Sequence, residues 1–409
     1  MSRSPVDDQV LVAADLSRAN SAKPRLILVA EYYASGGTRF YLKQLLEFYA
    51  SREVWICLVG THLTPDAEMQ ELLSKHGFAY VSYSAVMSST VHSPAPSRPP
   101  VWWPPSVRQE RRAFTKFLRR IQASAIVVSA GTPGQFLGAA GAGDGIYLLH
   151  TYPHGRRQQV LARFVLAPFA QSVKTFVAVS KYEQRAIEKL WRVGRADKRI
   201  AVVPNTVGPV RGDDTATPEA PPLVITAAWV EAYKEPLEWI EIAVAVSERM
   251  GRENVQFVWF GEGSMLEACK AAANRIQAVA DARFAGHVAE MEAVYRRATL
   301  YLQPSSTENM SLSVIDALRF GLPAIGTQVG GLPEIIEDEV TGVLVPQHDV
   351  KAAAAAIVRL LRDPETRLAM SAASRVRYAE HFSESHWHRQ LDHVHRVTFD
   401  SWKSIHDGS

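Results

Sequence analysis

The chain has 409 residues, 47% hydrophobic and 21% charged, with a net charge of +3. That balance excludes a disordered or fibrous chain and gives no ground for nucleic-acid binding. Cys57 and Cys269 are the only cysteines, which excludes a disulfide framework and a thiolate metal site.

The small net charge hides an asymmetry. Residues 1–205 carry 26 basic and 14 acidic side chains, whereas residues 206–409 carry 19 and 28. The basic half is expected to meet an anionic partner. Residues 1–24 form a polar segment with Asp7, Asp8 and Asp15 and lack the apolar core of a signal peptide. No apolar run approaches the ~20 residues that a spanning helix needs. A cytoplasmic protein is expected, with the option of a peripheral contact on the inner face of the membrane.

In chain order, Leu26–Ala30 reads as a buried strand, followed by Gly36-Gly37 and a helical pattern through Phe40, Leu42, Leu45, Leu46 and Tyr49. Strand, glycine turn and helix open a Rossmann-like unit. Val54–Val59 is the next strand, Glu68–His76 a short helix, and Ala79 starts another strand. Residues 84–106, with six prolines and Trp102-Trp103, read as a loop without regular structure. A helix is expected over 107–121, strands at Ala125–Val128, Ile146–Leu149 and Thr175–Val179, and a helix from Lys181. Gly138, Gly141 and Gly143 read as part of a loop. Residues 204–222 look like a linker.

Beyond the linker the alternation restarts. Strands are expected at Leu223–Thr226, Gln256–Phe260, Leu300–Leu302, Ala324–Gly326 and Gly342–Val345. Helices are expected at 235–249, 350–361 and 384–402. The expected division is a domain at 25–203, the linker, a second domain at 223–382, and a C-terminal helix at 383–409 that returns to the first domain. Two βα arrays predict two parallel sheets covered by helices, with ligands at the C-terminal ends of the strands and one shared cleft.

The chemistry concentrates after Leu302. A polar turn carries Glu308 and Asn309, and a helix is expected to start near Met310 or Ser311, ahead of Leu312. Free amides and the dipole of a helix start favour phosphate. Asp316 lies eight residues after Glu308. The two acids could hold hydroxyls on either side of a diphosphate, but taken alone they read more readily as a helix-start charge and a solvated face. His150 ends a strand at the edge where ligands bind, yet a lone histidine there is as readily structural. The helix at 107–121 carries Arg108, Arg111, Arg112, Lys116, Arg119 and Arg120 over the apolar stripe Phe114, Phe117, Leu118 and Ile121. It reads either as a solvated basic face or, joined to Trp102 and Trp103, as a dock for an anionic membrane.

The stretch from Pro304 to Pro323 resembles the signature of the retaining, nucleotide-sugar-dependent glycosyltransferases of family 4 (group 1), which have the two-domain GT-B fold. The family motif is a Glu, seven residues, a second Glu and a Gly-x-Pro turn. Here Glu308, Asp316 and Gly321-Leu322-Pro323 stand in those places. Val203-Pro204-Asn205, Phe260-Gly261-Glu262-Gly263, Phe284-Ala285-Gly286-His287-Val288 and Gly330-Gly331-Leu332-Pro333-Glu334 resemble further family segments in the same order. The similarity runs from about residue 25 to 385.

The resemblance implies that Gly36 and Gly37 form a diphosphate loop and that Glu308 and His150 contact the donor sugar. Lys234 and the helix start after Glu308, with Asn309, Met310, Ser311 and Leu312, would bind the diphosphate, Gly261 would belong to the nucleotide site, and Gly286, His287 and Val288 would read the base. Asp316 would hold the ribose. Lys234 fits the family's lysine, and Trp229 stands near the place of its arginine. Arg39 is a candidate to replace that arginine. Tyr152 and His154 are candidates for acceptor contact. The donor would be UDP- or GDP-linked, no cofactor or metal is expected, and no Asp-x-Asp triplet occurs. The implied function is transfer to a hydroxyl of a glycan or lipid-linked glycan in bacterial cell-surface polysaccharide synthesis, such as lipopolysaccharide. Two other readings stay open: a GT-B protein that binds without turnover, and another two-Rossmann enzyme such as an epimerase.

Overall fold

The computed structural model describes residues 23–31, 37–62, 64–88, 104–131, 134–151, 159–160, 162–191, 193, 199–210 and 220–399. The chain divides into two units. One comprises Met1–Val203 with His388–Ser409, the other Pro204–Trp387.

The strands of the first unit are nearly continuous apolar runs because both faces of a parallel sheet are covered by helices. They are β1 (Arg25–Ala30), β2 (Trp55–Gly60), β3 (Ala79–Ser82), β4 (Ala125–Ala130), β5 (Gly145–Leu149), β6 (Thr175–Ala178) and β7 (Arg199–Val202). All pair in parallel in the order β3-β2-β1-β4-β5-β6-β7. The order therefore reverses between β1 and β4. Helix α1 (Gly37–Ser51) buries Leu42, Leu45, Leu46, Phe48 and Tyr49. Helix α2 (Ala67–His76) is capped at its N-terminus by the Asp66 carboxylate, which accepts from the Met69 amide, and ends at left-handed Gly77.

Two loops expected from the sequence are partly helical. Tyr83–Ser88 forms α3, and the helix expected from 107 begins at Pro104, giving α4 (Pro104–Ile121). Proline is at home in a first turn, where its missing N–H had no partner to lose. Leu137–Ala140 forms a single helical turn, α5, where glycines suggested a loop. The reason is packing. A Cβ on Gly138 would lie 2.3 Å from the Val107 carbonyl oxygen and 2.7 Å from Glu110 Oε2, so glycine here lets α5 touch α4. Glu110 is buried in that seam. It accepts from Tyr83 Oη at 2.6 Å and from the Gly138 amide at 2.8 Å. Burial pushes its carboxyl up to about 7 against those bonds. Trp102 and Trp103 lie outside the described residues.

After α6 (Ala167–Ala170) and α7 (Lys181–Trp191), this unit is completed by the last helix of the chain. The second unit holds β8 (Leu223–Ala227), β9 (Gln256–Phe260), β10 (Asp281–Gly286), β11 (Leu300–Gln303), β12 (Ala324–Thr327) and β13 (Gly342–Val345) in the order β10-β9-β8-β11-β12-β13. Its order reverses between β8 and β11. Helices α8 (Pro236–Met250), α9 (Leu266–Arg275), α10 (Met291–Arg297), α11 (Leu312–Arg319), α12 (Leu332–Ile335), α13 (Val350–Arg362) and α14 (Pro364–His381) connect and flank these strands. Trp239, Trp259 and Phe284 centre the core, with Trp239 edge-on to Trp259 at 5.7 Å between ring centroids.

The final helix, α15 (Glu384–Thr398), joins the first unit from His388 onward. His395 is fully buried, 2.9 Å from Tyr49 Oη and 2.7 Å from the Leu391 carbonyl. Asp392 accepts from Arg52 at 2.6 Å, and Thr398 Oγ1 meets Thr175 Oγ1 at 2.8 Å. Among the described residues no helix is long and apolar enough to cross a membrane.

Candidate active site

In open parallel sheets, ligands bind outside the carboxyl ends of the strands where the strand order reverses, because neighbouring connections there run to opposite faces and leave a crevice. In the second unit that point lies between β8 and β11. Lys234 follows β8, on a short 3-10 turn (Ala232–Lys234), and Glu308 follows β11. Lys234 Nζ donates directly to Glu308 Oε2, with side chains 10% and 13% exposed. Residues 74 apart in sequence are thus one ion pair at the switch point. Lys234 Nζ also lies 5.3 Å from the Tyr233 ring centroid.

The backbone of this turn is held from behind. The Gly331 amide donates to the Glu308 carbonyl at 3.1 Å. Gly330 has φ +55°, and a Cβ there would lie 1.7 Å from the Glu308 carbonyl oxygen. Only glycine permits both the left-handed conformation and that approach. Asn205 Nδ2 donates to the Met310 carbonyl at 3.1 Å, and the Ser306 amide donates to the Tyr233 carbonyl at 2.9 Å. A buried polar layer lies below. Tyr301 Oη donates to Ser313 Oγ at 2.8 Å, Gln303 Nε2 to Ser305 Oγ at 2.6 Å, and Trp239 Nε1 to Thr226 Oγ1 at 2.9 Å.

Ser311 precedes α11 but makes no side-chain cap; its Oγ lies 3.1 Å from Ser313 Oγ. The first-turn amides of α11 are thus not used by a serine cap, and Asn309, Met310 and Ser311 are buried around them. Asp316, one face further along α11, is bound by Arg319 at 2.8 Å, and Arg319 also reaches Glu292 at 3.3 Å. Burial is the largest influence on Asp316 and pushes its carboxyl up to about 6, although Arg319 pulls it down. The Gly261 amide donates to the Gly286 carbonyl at 2.8 Å, so the two glycine turns after β9 and β10 form one edge. His287 is exposed and Val288 half-buried beside it.

In the first unit, His150 follows β5. Its Nε2 is 2.9 Å from Ser129 Oγ, and its ring stands edge-on to Tyr41 at 4.4 Å. Burial pushes its pKa down to about 4, so the ring is neutral at neutral pH and offers hydrogen bonding, not charge. Gly37 opens α1 and is exposed. Gly36, Tyr152 and His154 lie outside the described residues. Arg39 does not serve as a spare cation. Asp66 holds it at 2.6 Å and Glu68 at 2.5 Å, and it is 7% exposed. Trp229, near the place of the family's arginine, is 46% exposed.

Sequence reading passed over Glu31, the residue that follows β1. It is 7% exposed and its Oε2 has no hydrogen-bond partner among the described residues. The available signal was an acid set directly against an all-apolar strand. Among the described residues, Glu235, Glu238 and His348 form one group whose ligand atoms lie within 4.8 Å of one another. A 2.7 Å contact of His348 Nδ1 with Glu238 Oε2 accounts for that grouping.

Each unit is a parallel α/β sheet with one switch point and a carboxylate beside it, and comparison with known proteins gives the class. Residues 213–377 match the family described as Glycosyl transferases group 1, and residues 35–211 match Glycosyltransferase Family 4. The chain belongs to the group 1/family 4 glycosyltransferases and has the GT-B fold. It is 38% identical over 99 residues to a D-inositol 3-phosphate glycosyltransferase of Saccharomonospora viridis, a match covering 24% of this chain and 22% of that protein. The chain thus spans about a fifth of the length of that curated relative. A glycosyltransferase of Rickettsia africae superposes with a TM-score of 0.70 at 13% identity, covering 95% of this chain and 100% of the other. The Anabaena protein Alr3699/HepE, solved in complex with UDP, superposes with a TM-score of 0.67 at 14% identity, covering 91% and 100%.

Proposed function

We propose that the protein is a retaining glycosyltransferase that moves a sugar from a UDP- or GDP-linked donor to a hydroxyl of a glycan or lipid-linked glycan, without a metal, in bacterial cell-surface polysaccharide synthesis. The observation that carries the reading is the Lys234–Glu308 pair at the β8/β11 switch point, beside a helix start without a side-chain cap. In this reading the α11 amides and Lys234 receive the diphosphate, and Glu308 accepts from sugar hydroxyls. His150 offers a neutral hydrogen-bonding ring, and Asp316 takes the ribose. The bond from the anomeric carbon to the diphosphate breaks as the acceptor oxygen bonds on the same face, and the departing diphosphate takes the acceptor's proton. Lys234 would stabilise the charge that gathers on that leaving group. The names of the relatives, one acting on an inositol phosphate and one solved with UDP, favour a nucleotide-linked donor and a hydroxyl acceptor.

The exposed basic face of α4 supports a partner on the anionic inner membrane surface. Arg108, Arg111, Arg112, Thr115, Lys116 and Arg119 line an open depression of about 500 Å3 there. A second reading, binding without turnover, is favoured by Trp229 standing near the place of the family's arginine and by Asp316 being engaged with Arg319.

The test is a thermal-shift panel with UDP, GDP, ADP and dTDP, followed by donor hydrolysis with the matching sugars in EDTA. One diphosphate is expected to stabilise the protein, by about 2.7 kcal/mol at a hundred times its dissociation constant. Glu308→Gln is expected to retain nucleotide binding and to lose turnover at least a hundredfold. Binding without hydrolysis by the unaltered protein would move the second reading to first place.

A further inference from the structure

The first unit has a switch point of its own, and the side chains there are unlike those at the second. Between β1 and β4 stand Glu31, at the carboxyl end of β1, and Gly131, at the carboxyl end of β4. Glu31 is 7% exposed, and its Oε2 accepts no hydrogen bond from the described residues. Buried acceptors are nearly always paired, because leaving water without a replacement partner costs stability. A second feature lies beside it. Among the described residues, a Cβ built on Gly131 would meet Glu31 Oε2, at 3.6 Å, and nothing else within 4 Å, so glycine leaves the carboxylate approachable from that side. The Gly131 carbonyl accepts from Thr151 Oγ1, next to His150. Glu31, Gly131 and His150 therefore follow three adjacent strands along one sheet edge.

We propose that Glu31 anchors the acceptor: its buried oxygen accepts a hydrogen bond from a hydroxyl of a neutral, polyhydroxylated group seated over Gly131. The inference rests on the glycosyltransferase reading above and adds the substrate class. A carboxylate oxygen only accepts, so the group in contact must donate. A phosphate there would face like charge in a poorly solvated place. The acceptor's sugar or cyclitol ring lies at this edge, and any phosphate it carries lies away from it.

The test uses the full chain with the donor found by the hydrolysis panel. Failure of the unaltered protein to hydrolyse any donor would be failure of the parent reading, seen before an acceptor is added. Transfer is then measured to methyl glycosides of glucose, galactose, mannose and N-acetylglucosamine and to myo-inositol. The unaltered protein is expected to use at least one of them; use of none overturns the proposal. Glu31→Gln is expected to raise the acceptor KM at least tenfold while the donor KM changes less than twofold, and Glu31→Asp to restore part of the loss. Gly131→Ala places a methyl at ordinary contact distance, so the fold tolerates it; it is expected to raise the acceptor KM similarly. The thermal midpoint of Glu31→Gln should equal or exceed that of the unaltered protein. A lowered midpoint, or acceptor KM values unchanged in both Glu31→Gln and Gly131→Ala, would overturn the assignment.

Discussion

At the scale of the residue, the Lys234–Glu308 pair couples two strand ends through one contact of low exposure. Removing one partner of such a pair strands the other charge where water reaches it poorly, which costs about 3 kcal/mol, whereas removing both together costs much less. Lys234→Met and Glu308→Leu are each expected to lower stability in urea unfolding by about 2–3 kcal/mol. The double variant should lose clearly less than the sum, and all three should be inactive. Additive losses would mean that the pair carries no coupling and that its contact is incidental. Glu308 was legible in the sequence because a polar turn between a buried strand and an apolar helix is a local pattern. Its pairing with Lys234 was not, since residues 74 apart meet only through the order of the strands. Arg39 shows the reverse case. Its position after the glycine pair suggested a phosphate cation, but Asp66 and Glu68, which claim it, lie on another connection.

At the scale of the element, strands were read closely because each parallel strand is an apolar run bounded by turns; Gln256–Phe260 and Gly342–Val345 are found with the expected ends. Helices rich in glycine or proline were misread, since α5 is set by what it packs against and α4 opens on prolines that a first turn tolerates. Helix α4 also shows which side of an amphipathic pattern is spent. Val107, Glu110, Ala113, Phe114, Phe117, Leu118 and Ile121 are buried, whereas Arg108, Arg111, Arg112, Lys116, Arg119 and Arg120 are exposed. Its apolar stripe is core, so a membrane would be met by charge. Each cation near an anionic surface contributes about 1 kcal/mol, screened by salt. The triple variant Arg111→Glu/Arg112→Glu/Arg119→Glu is therefore expected to lose sedimentation with vesicles containing 30% phosphatidylserine by at least a hundredfold, with the unaltered protein released at 0.5 M NaCl. Equal binding by variant and unaltered protein would remove α4 as the docking face.

At the scale of the whole molecule, the chain passes from the first unit to the second after Val203 and returns at His388. The first unit is therefore closed by residues far away in sequence, and its integrity depends on how α15 is held. Arg52–Asp392 and Thr175–Thr398 are two of the ties; His395 against Tyr49 is a third. Burial drives the His395 ring from its ordinary 6.5 down to about 4, with the neighbouring Leu391 carbonyl and Asp392 opposing and Arg52 adding to the shift. The folded chain thus resists a proton that the unfolded chain accepts. Stability from this group is full above about pH 6.5 and is lost as pH falls towards 4, by about 3 kcal/mol in all. Hydrogen exchange of the full chain, corrected for intrinsic rates, should show α15 amides losing protection between pH 6.5 and 4.5, while those of β9 in the other unit change less. In Tyr49→Phe/His395→Leu, which keeps the seam apolar, α15 should hold its protection across that range. The same acid loss in the variant would mean that another group releases the helix, and the assignment of the pH response to His395 would fail.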